Sequence, residues 1–394
     1  MIPYGKQSIA PEDIEAVVQA IQSDFLTQGP WIGEFEDKVA QRCGSRHAVA
    51  CNSGTAALHI AYAALGIRPG SIVVVPANTF LATANAAVYL GAEVRFCDVD
   101  PLTGLMTPER LASVLDTDVS LVVPVHFAGM ACDMQAIRDC VDQFAPDARI
   151  VEDASHAIGA VHPDGSPVGS LKWSDLATFS FHPVKHVAAG EGGAVTVDDT
   201  KLFESLTRYR CHGMTKDPDL LTRPDEGPWY YEMHELGYNY RIPEASCALA
   251  SSQMNRLDDF VARRREIAAI YLDKLAGLEA IHLPAASQLP LSSWHLFCVH
   301  ADFDTMAVDR IGWMKMLRQF GVGTQVHYFP VCSQPYYLQH SPGDAPRCTG
   351  AWHHYNRALS LPMFPAMTDA DVQTVCDAVI DVHSHAIHRD RRAA

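Results

Sequence analysis

The sequence lacks long uninterrupted apolar runs, although 48% of its 394 residues are hydrophobic. No stretch reaches the roughly 18 apolar residues that a membrane-spanning helix needs, and residues 1–8 lack the apolar core of a signal peptide. We therefore expect a cytoplasmic protein without a membrane partner. A chain of this length and composition can form two domains, which we place at residues 1–248 and 249–394.

The eleven cysteines include no C-x-x-C pair. The closest spacings, Cys43 to Cys51 and Cys132 to Cys140, suit neither a zinc knuckle nor a compact disulfide scaffold. The sequence therefore predicts reduced thiols that are mostly buried.

Basic residues are scarce: 30 Lys and Arg stand against 46 Asp and Glu, which gives a net charge of −16. Such a charge repels polyanions, so we expect no nucleic-acid partner. The 19 histidines are scattered, and the adjacent His353 and His354 lack the four-residue spacing of a helical metal pair. We therefore expect no metal, and a metal-dependent hydrolase remains only a minor alternative.

The first 200 residues show the pattern of an α/β fold. Ile14, Val17, Val18 and Ile21 have helical spacing, which predicts an amphipathic helix whose apolar stripe faces a core. Beyond this helix, short apolar runs alternate with helical segments, as in βαβ units, and the continuously apolar runs indicate parallel strands covered on both faces. The sequence predicts an open α/β sheet with strands at residues 72–75, 94–99, 121–125, 150–152, 177–181 and 194–197.

A different pattern begins near residue 249. A charge-rich helical segment at 249–270 predicts a long connecting helix, and the residues after it predict a smaller α+β domain. The elements expected there are strands at 296–299 and 324–328, helices at 306–320 and 368–385, and a solvated Arg-rich tail at 388–394.

Three segments carry candidate chemistry, and the first is Cys51 to Leu58 (CNSGTAAL). Its polar residues and glycine precede an Ala-rich helix, and a helix N-terminus binds anions, most often phosphate. An ordinary helix cap is the alternative. The segment matches neither the G-x-G-x-x-G nor the P-loop pattern, which disfavours a dinucleotide or a nucleoside triphosphate.

The other two segments each follow a predicted strand. Residues 152–157 (EDASHA) bring acidic and imidazole groups to the carboxyl end of a strand, where open α/β sheets bind ligands; a helix cap is the alternative. Residues 180–193 place Lys185 beside His182, His186 and a glycine-rich loop. Desolvation and nearby positive charge favour a neutral amine at Lys185, whereas a solvated surface lysine is the alternative.

Together these motifs resemble the DegT/DnrJ/EryC1/StrS family of sugar aminotransferases. The resemblance runs from Pro3 to about Pro365 and includes NSGTAAL, PANTF, EDASHA, SFHPVK with GEGG, and LGYNYR, in the order found in that family. It implies an enzyme with a type I, aspartate-aminotransferase-like fold, in which the large α/β domain binds pyridoxal 5'-phosphate (PLP).

The resemblance also implies residue roles. Lys185 corresponds to the lysine that bonds the cofactor covalently, and Asp153 to the carboxylate paired with the pyridinium nitrogen. A buried carboxylate keeps that nitrogen protonated, so that the ring withdraws electrons. The remaining cofactor contacts are expected from Phe80 on the ring face, His156 near the phenolic oxygen, and Gly54, Thr55, Ser180 and Asn239 around the phosphate.

Asn239 is expected to reach the phosphate of the neighbouring subunit, so the resemblance implies a homodimer with shared active sites. Taken alone, Asn239 is more typical of a turn.

The presence of Lys185 favours aminotransfer, because the dehydratases of the family carry histidine at that position. The resemblance implies L-glutamate as the amino donor and C4 of a nucleotide-linked 4-keto-6-deoxyhexose as the acceptor. FHPVK with GEGG is similar to the branch that uses UDP-4-keto-6-deoxy-N-acetyl-L-hexosamine on the pseudaminic acid route to surface glycans. Residues 186–189 (HVAA) depart from the usual segment of that branch.

Two further alternatives remain open: a perosamine-type or other 4-keto-sugar aminotransferase that uses a GDP- or dTDP-sugar, and a PLP-binding regulatory protein without turnover. For the diphosphate, Lys6, Arg210 and Arg241 are hypotheses, with surface salt bridging as the alternative for each. The full set of expected substrate contacts is Lys6, Thr27, His182, Arg241, His327 and Tyr328.

Overall fold

A seven-stranded sheet forms the centre of the computed structural model, which describes residues 1–341 and 343–388. The strand order is β1-β7-β6-β5-β4-β2-β3. Strand β7 is antiparallel to β1 and β6, and the other neighbouring strands are parallel. The strands are β1 (His47–Cys51), β2 (Ile72–Pro76), β3 (Glu93–Cys97), β4 (Val119–Val122), β5 (Arg149–Asp153), β6 (Leu176–Ser180) and β7 (Gly193–Val197).

The open α/β sheet predicted from the sequence is confirmed, with two differences. The sequence patterns predicted six of its strands but not β1, which is nearly all buried and pairs along its whole length with β7. The apolar run of β7 is fully buried, as expected, but its orientation is antiparallel rather than parallel. Burial on both faces makes a strand apolar in either orientation, so composition alone does not fix its direction.

Seven helices accompany this sheet. Helix α3 is rich in alanine, is almost wholly buried, and packs against β6 and β7. Small side chains allow this close approach of helix and sheet, and they place the first turn of α3 beside the end of β6. The helices are α1 (Pro11–Gln22), α2 (Pro30–Cys43), α3 (Gly54–Ala64), α4 (Leu81–Tyr89), α5 (Pro108–Ala112), α6 (Met134–Phe144) and α7 (Thr200–Arg210).

Helix α1 forms as predicted, but the expected direction of its apolar stripe is wrong. Ile14, Val18 and Ile21 are 59%, 43% and 59% exposed, whereas the buried residues of the helix are Asp13 and Ala20. Asp13 is held by Arg256, Ser252 and Gln253. This buried polar contact fixes the opposite face of the helix against α8 (Glu244–Met254) and leaves the apolar stripe on the surface of the chain.

The connection to the second part of the chain consists of two helices rather than one. Helix α8 ends at Met254, and α9 (Leu257–Lys274) begins after a break at Asn255 and Arg256. The predicted domain boundary between residues 248 and 249 falls inside α8, and the division into domains stays a prediction. Before α8, a short hairpin of β8 (Met214–Thr215) and β9 (Glu232–Met233) projects exposed apolar side chains.

A three-stranded antiparallel sheet follows, in the order β10-β11-β12. The predicted closing helix is confirmed as α13, but the strand predicted at 324–328 is wrong, because this segment makes a single bridge between Gln325 and Ser360. Side chains take the place of strand pairing there: the Tyr328 N–H donates to Asn78 Oδ1 (3.2 Å). The elements are β10 (Ile281–His282), β11 (Phe297–Ala301), β12 (Ala358–Leu361), α10 (Arg310–Gln319), α11 (Pro335–His340), α12 (Thr349–Arg357) and α13 (Asp369–His388).

The cysteine prediction is confirmed: all eleven thiols are free, nine are buried, and Cys211 and Cys298 are half-buried. Within residues 1–341 and 343–388, no helix is both long and apolar enough to cross a membrane. The predicted Arg-rich tail, apart from its first residue, lies outside the described residues.

Candidate active site

A cavity of ≈ 620 Å³ opens at the carboxyl ends of the parallel strands. Asp153 ends β5, Ser180 ends β6, and the segments after β1 and β2 bring Gly54 and Phe80 to the same edge. Ligands of open α/β sheets bind at this edge. The structure brings together ten of the predicted site residues along the cavity wall: Gly54, Thr55, Phe80, Asp153, His156, Ser180, His182, Lys185, His327 and Tyr328.

Lys185 lies half-buried in the cavity wall, on the loop after β6. Its amine makes no ion pair or side-chain hydrogen bond with the described residues. Burial lowers the pKa of Lys185 to about 8, against the opposing attraction of Asp153. The expected contribution of charged histidines is absent: His182 is exposed, and burial lowers the pKa of His186 well below 6.5, so that its ring is neutral. Desolvation therefore accounts for the weakly basic amine.

Asp153 is buried, with both carboxylate oxygens held by hydroxyl groups. Oδ2 accepts a hydrogen bond from Thr83 Oγ1 (2.7 Å). Oδ1 accepts from Ser155 Oγ (2.6 Å) and from the Ser155 N–H (3.1 Å). These three donors hold the carboxylate at the base of the cavity. Residues 154–175 contain no helix, so Asp153 is not a helix cap.

The start of α3 forms a cradle for an anion. Ser53 is the helix cap, since its Oγ accepts from the Ala56 N–H (3.1 Å). The segment is therefore a helix cap and also a candidate anion site. The N–H groups of Gly54 and Thr55 have no partner inside the helix. A Cβ on Gly54 would lie 2.8 Å from the Cβ of Ser180, so the approach of helix and strand requires glycine. Backbone donors, the helix dipole and the Ser180 hydroxyl therefore suit a phosphate.

His156 and Tyr328 form a hydrogen-bonded pair in the cavity wall. His156 Nδ1 accepts from the Ala128 N–H (3.3 Å), and Nε2 lies 3.3 Å from Tyr328 Oη. Burial lowers the pKa of His156 well below its usual value, so the neutral ring carries its proton on Nε2 and donates it to Tyr328. The hydroxyl proton of Tyr328 is then available to an acceptor in the cavity.

Four predicted residues do not line this cavity in the chain. Lys6 and Thr27 are exposed, and Lys6 lies two residues from Tyr4, which does line it. Asn239 is also exposed, and Arg241 donates to Cys211 Sγ (3.3 Å).

The hypothesis for Arg210 is wrong. Its guanidinium is 15% exposed, forms an ion pair with Glu36 and donates to the Ala50 carbonyl (2.8 Å). A guanidinium with these partners is not free to bind a diphosphate.

Several residues that line the cavity were not predicted from the sequence. Ser155 had a local signal, since a hydroxyl two residues after an aspartate forms a side-chain turn. Thr83 lies only three residues after Phe80, whereas Tyr4 and His295 reach the cavity from distant parts of the chain.

Two of the histidines lie beside a cysteine outside the cavity wall. Cys298, His300 and His354 each offer a possible ligand atom, and these atoms lie within 4.8 Å of one another. The expectation that the enzyme uses no metal stays a prediction.

Comparison with known proteins identifies the family. The DegT/DnrJ/EryC1/StrS aminotransferase family model matches residues 7–380. The spore coat polysaccharide biosynthesis protein SpsC of Bacillus subtilis (strain 168) is 35% identical over 382 residues, which cover 97% of each chain.

Solved structures agree with this family assignment. The PLP form of the putative sugar aminotransferase Spr1654 from Streptococcus pneumoniae has a TM-score of 0.88 at 25% identity and covers 98% of this chain and 99% of that one. Helicobacter pylori PseC, an aminotransferase involved in the biosynthesis of pseudoaminic acid, has a TM-score of 0.88 at 24% identity, with 98% and 99% covered, and shows the same fold. The chain therefore belongs to the DegT/DnrJ/EryC1/StrS aminotransferase family, and it is a PLP-dependent sugar aminotransferase with fold type I.

Proposed function

We propose that this enzyme transfers the amino group of L-glutamate to C4 of a nucleotide-linked 4-keto-6-deoxyhexose. The proposed acceptor is UDP-4-keto-6-deoxy-N-acetyl-L-hexosamine, and the product serves surface-glycan biosynthesis. The observation that carries the proposal is one cavity that holds a desolvated lysine, a hydrogen-bonded carboxylate and a helix N-terminus. The relatives' names support the glycan context, since SpsC acts in spore coat polysaccharide biosynthesis and PseC in that of pseudoaminic acid.

The lining residues fit PLP group by group. Gly54, Thr55 and Ser180 would hold the phosphate, because glycine at position 54 leaves room beside the Ser180 hydroxyl. Asp153 would accept the hydrogen bond of the protonated ring nitrogen. Phe80 projects into the cavity and is 58% exposed there, which leaves its ring free to cover a planar ligand.

Bound PLP supplies an electron-withdrawing ring that stabilises negative charge at the adjacent carbon of the amino donor. Lys185 Nζ would accept the α-proton of glutamate and hold it for transfer, and the reverse proton transfer would follow with the keto-sugar. A pKa of about 8 leaves part of this amine neutral at neutral pH, which general-base catalysis requires.

The sugar would lie against residues 325–328, which line the cavity from the second part of the chain. Burial lowers the pKa of His327 to about 3, so its ring is neutral, and Tyr328 presents a hydroxyl donor. Neutral donors suit sugar oxygens without adding a charge next to Lys185. His182 completes this wall, and Lys6, Thr27 and Arg241 would contact the nucleotide from outside it.

We also propose a homodimer with shared active sites. Asn239 is exposed near several exposed apolar residues, of which Trp229, Met233 and Leu236 are 73%, 62% and 78% exposed. Apolar surface of this extent is typical of an interface with another chain. A second subunit that covers it would receive Asn239 near its own phosphate cradle.

The substrate is tested by following the visible absorption band of the bound cofactor. L-glutamate should bleach the band, and, after glutamate is removed, the UDP-linked 4-keto substrate should restore it. The matched control is Lys185→Ala, in which the parent band should be absent.

Two outcomes would change the proposed sugar substrate or the proposed amino donor. Restoration by GDP- or dTDP-linked 4-keto sugars alone would assign the enzyme to the perosamine-type alternative. A band that depends on Lys185 but that glutamate never bleaches would exclude glutamate as the donor.

A further inference from the structure

Thr83 is a buried threonine on the first turn of α4 that the proposed function leaves without a role. Its hydroxyl lies in the cavity wall and contacts two groups at 2.7 Å: Oγ1 of Thr79 and Oδ2 of Asp153. A third group, the Phe80 carbonyl, lies farther away at 3.3 Å.

The direction of these hydrogen bonds follows from the chemistry of the groups. An ionised carboxylate only accepts, so Thr83 donates its single hydroxyl proton to Asp153. The Thr83 hydroxyl donates to the charged acceptor at 2.7 Å rather than to the neutral Phe80 carbonyl at 3.3 Å. Thr79 therefore donates to Thr83, and the protons point in one direction, from Thr79 through Thr83 to Asp153.

Thr83 is itself held by its surroundings. The Tyr62 hydroxyl donates to the Thr83 carbonyl (3.0 Å), and both side chains are fully buried. The hydroxyl is thus fixed by helix packing, and it links α4 to the end of β5. The same segment also carries Phe80, so the ring-covering residue and the donor to Asp153 lie within one helical turn of each other.

We propose that Thr83 is a positioning residue, which holds the Asp153 carboxylate oriented toward the ring nitrogen of PLP through a hydroxyl chain that begins at Thr79. This inference rests on the proposed role of Asp153. Ser155 holds the other oxygen, so rotation of the carboxylate would break short hydrogen bonds on both sides.

The test compares Thr83→Val, which keeps the side-chain shape but removes the hydroxyl, with Thr83→Ser, which keeps the hydroxyl. We expect Thr83→Val to weaken PLP binding by about tenfold, as a hydrogen bond to a charged group is lost. The pH midpoint of the visible band should also rise in Thr83→Val, because a less stable carboxylate holds less positive charge on the ring nitrogen. Thr83→Ser should retain both properties of the parent.

Thr196→Val is the matched control. Thr196 is a fully buried threonine in β7 whose hydroxyl donates to the Gly169 carbonyl (3.1 Å), away from the cavity. We expect this variant to melt at a lower temperature with the parent pH midpoint. Thr79→Val provides a second variant that leaves the Thr83 hydroxyl in place, and it should shift the midpoint in the same direction by a smaller amount.

Asp153→Asn separates this inference from the proposed function. If Asp153→Asn lowers PLP affinity and changes the midpoint while Thr83→Val leaves both unchanged, the role of Thr83 is refuted and that of Asp153 stands. If Asp153→Asn changes neither quantity, both roles are refuted. A Thr83→Ser variant that behaves like Thr83→Val would also refute the role of the hydroxyl.

Discussion

Lys185 shows how burial alone sets the chemistry of a residue in this enzyme. The sequence placed it beside two histidines, and both charge and desolvation were expected to make its amine less basic. In the structure the buried His186 ring is neutral and His182 is exposed, and desolvation lowers the pKa of Lys185 to about 8. Local sequence identified the residue, but the cause of its shift depends on packing from the whole cavity wall.

The first prediction concerns the pH dependence of cofactor loading. The neutral amine is the reactive form, and a pKa lowered to about 8 means that its fraction grows as pH rises toward 8. The rate at which the cofactor-free protein forms its visible PLP band should therefore increase up to about pH 8 and then level off. Stopped-flow absorbance would measure it, and a rate that is independent of pH between about 6 and 9 would contradict the assignment.

The second prediction concerns Gly54. A methyl group there would lie 2.8 Å from Ser180 Cβ, and overpacking of this kind should weaken PLP binding by roughly tenfold. Binding of pyridoxal, which lacks the phosphate, should change less. Gly33→Ala in α2 is the control, because a Cβ there meets nothing within 4 Å. Equal losses for PLP and pyridoxal would show that position 54 does not serve the phosphate.

At the scale of helices and strands, the periodicity of the sequence predicted the positions of the elements better than their orientation. The apolar spacing of α1 marked a helix correctly, yet its stripe is exposed, because the buried contacts of Asp13 decide the orientation. Those partners lie some 240 positions away in the sequence, so no local pattern could reveal them. Residues 324–328 include the β-branched and aromatic residues typical of a strand, but residues 325–328 line the cavity instead.

The third prediction tests a contact that joins two helices. Glu244 is fully buried in the first turn of α8, and its oxygens accept from the N–H groups of Gly29 (3.0 Å) and Trp31 (2.9 Å) at the start of α2. Glu244→Gln replaces one acceptor by a donor that faces an N–H group. We expect the free energy of unfolding to fall by about 2 kcal/mol.

Glu204→Gln on the exposed surface of α7 is the control for Glu244→Gln and should leave stability close to that of the parent. Denaturant unfolding measures both variants. Equal stability of the two would mean that Glu244 does not hold the start of α2.

At the scale of the whole molecule, the family resemblance predicted the fold and the location of the cavity, whereas the quaternary arrangement stays a proposal. The fourth prediction tests it with hybrid dimers of Lys185→Ala and Asn239→Ala subunits. If Asn239 acts across the interface, each hybrid contains one complete site. Random pairing then restores about a quarter of the parent activity, although either variant alone is impaired.

Differently tagged subunits, coexpressed and purified together, would provide the hybrids. Activity no higher than that of the better single variant would place Asn239 in the site of its own chain or outside any site.

The fifth prediction concerns the proposed interface itself. Leu236→Glu places a charge on a side chain that is 78% exposed in the single chain, and it should shift the enzyme toward monomers. Leu102→Glu, at a position 58% exposed on another surface loop, is the control and should stay in the parent state. Sedimentation velocity distinguishes the two variants, and dimers of equal stability would exclude the surface around Leu236 as the interface.

The antiparallel direction of β7 has a consequence for how the enzyme changes when it gains and loses its cofactor. Because β7 returns directly alongside β6, Lys185 sits in a hairpin loop, residues 181–192, which is closed by hydrogen bonds from the Phe181 N–H to Gly192 and from the Ala189 N–H to Phe181 (both 2.8 Å). These hydrogen bonds restrict the conformations that the loop can adopt. The lysine is therefore preorganised, and protease resistance of this loop should be the same in the empty and the loaded enzyme.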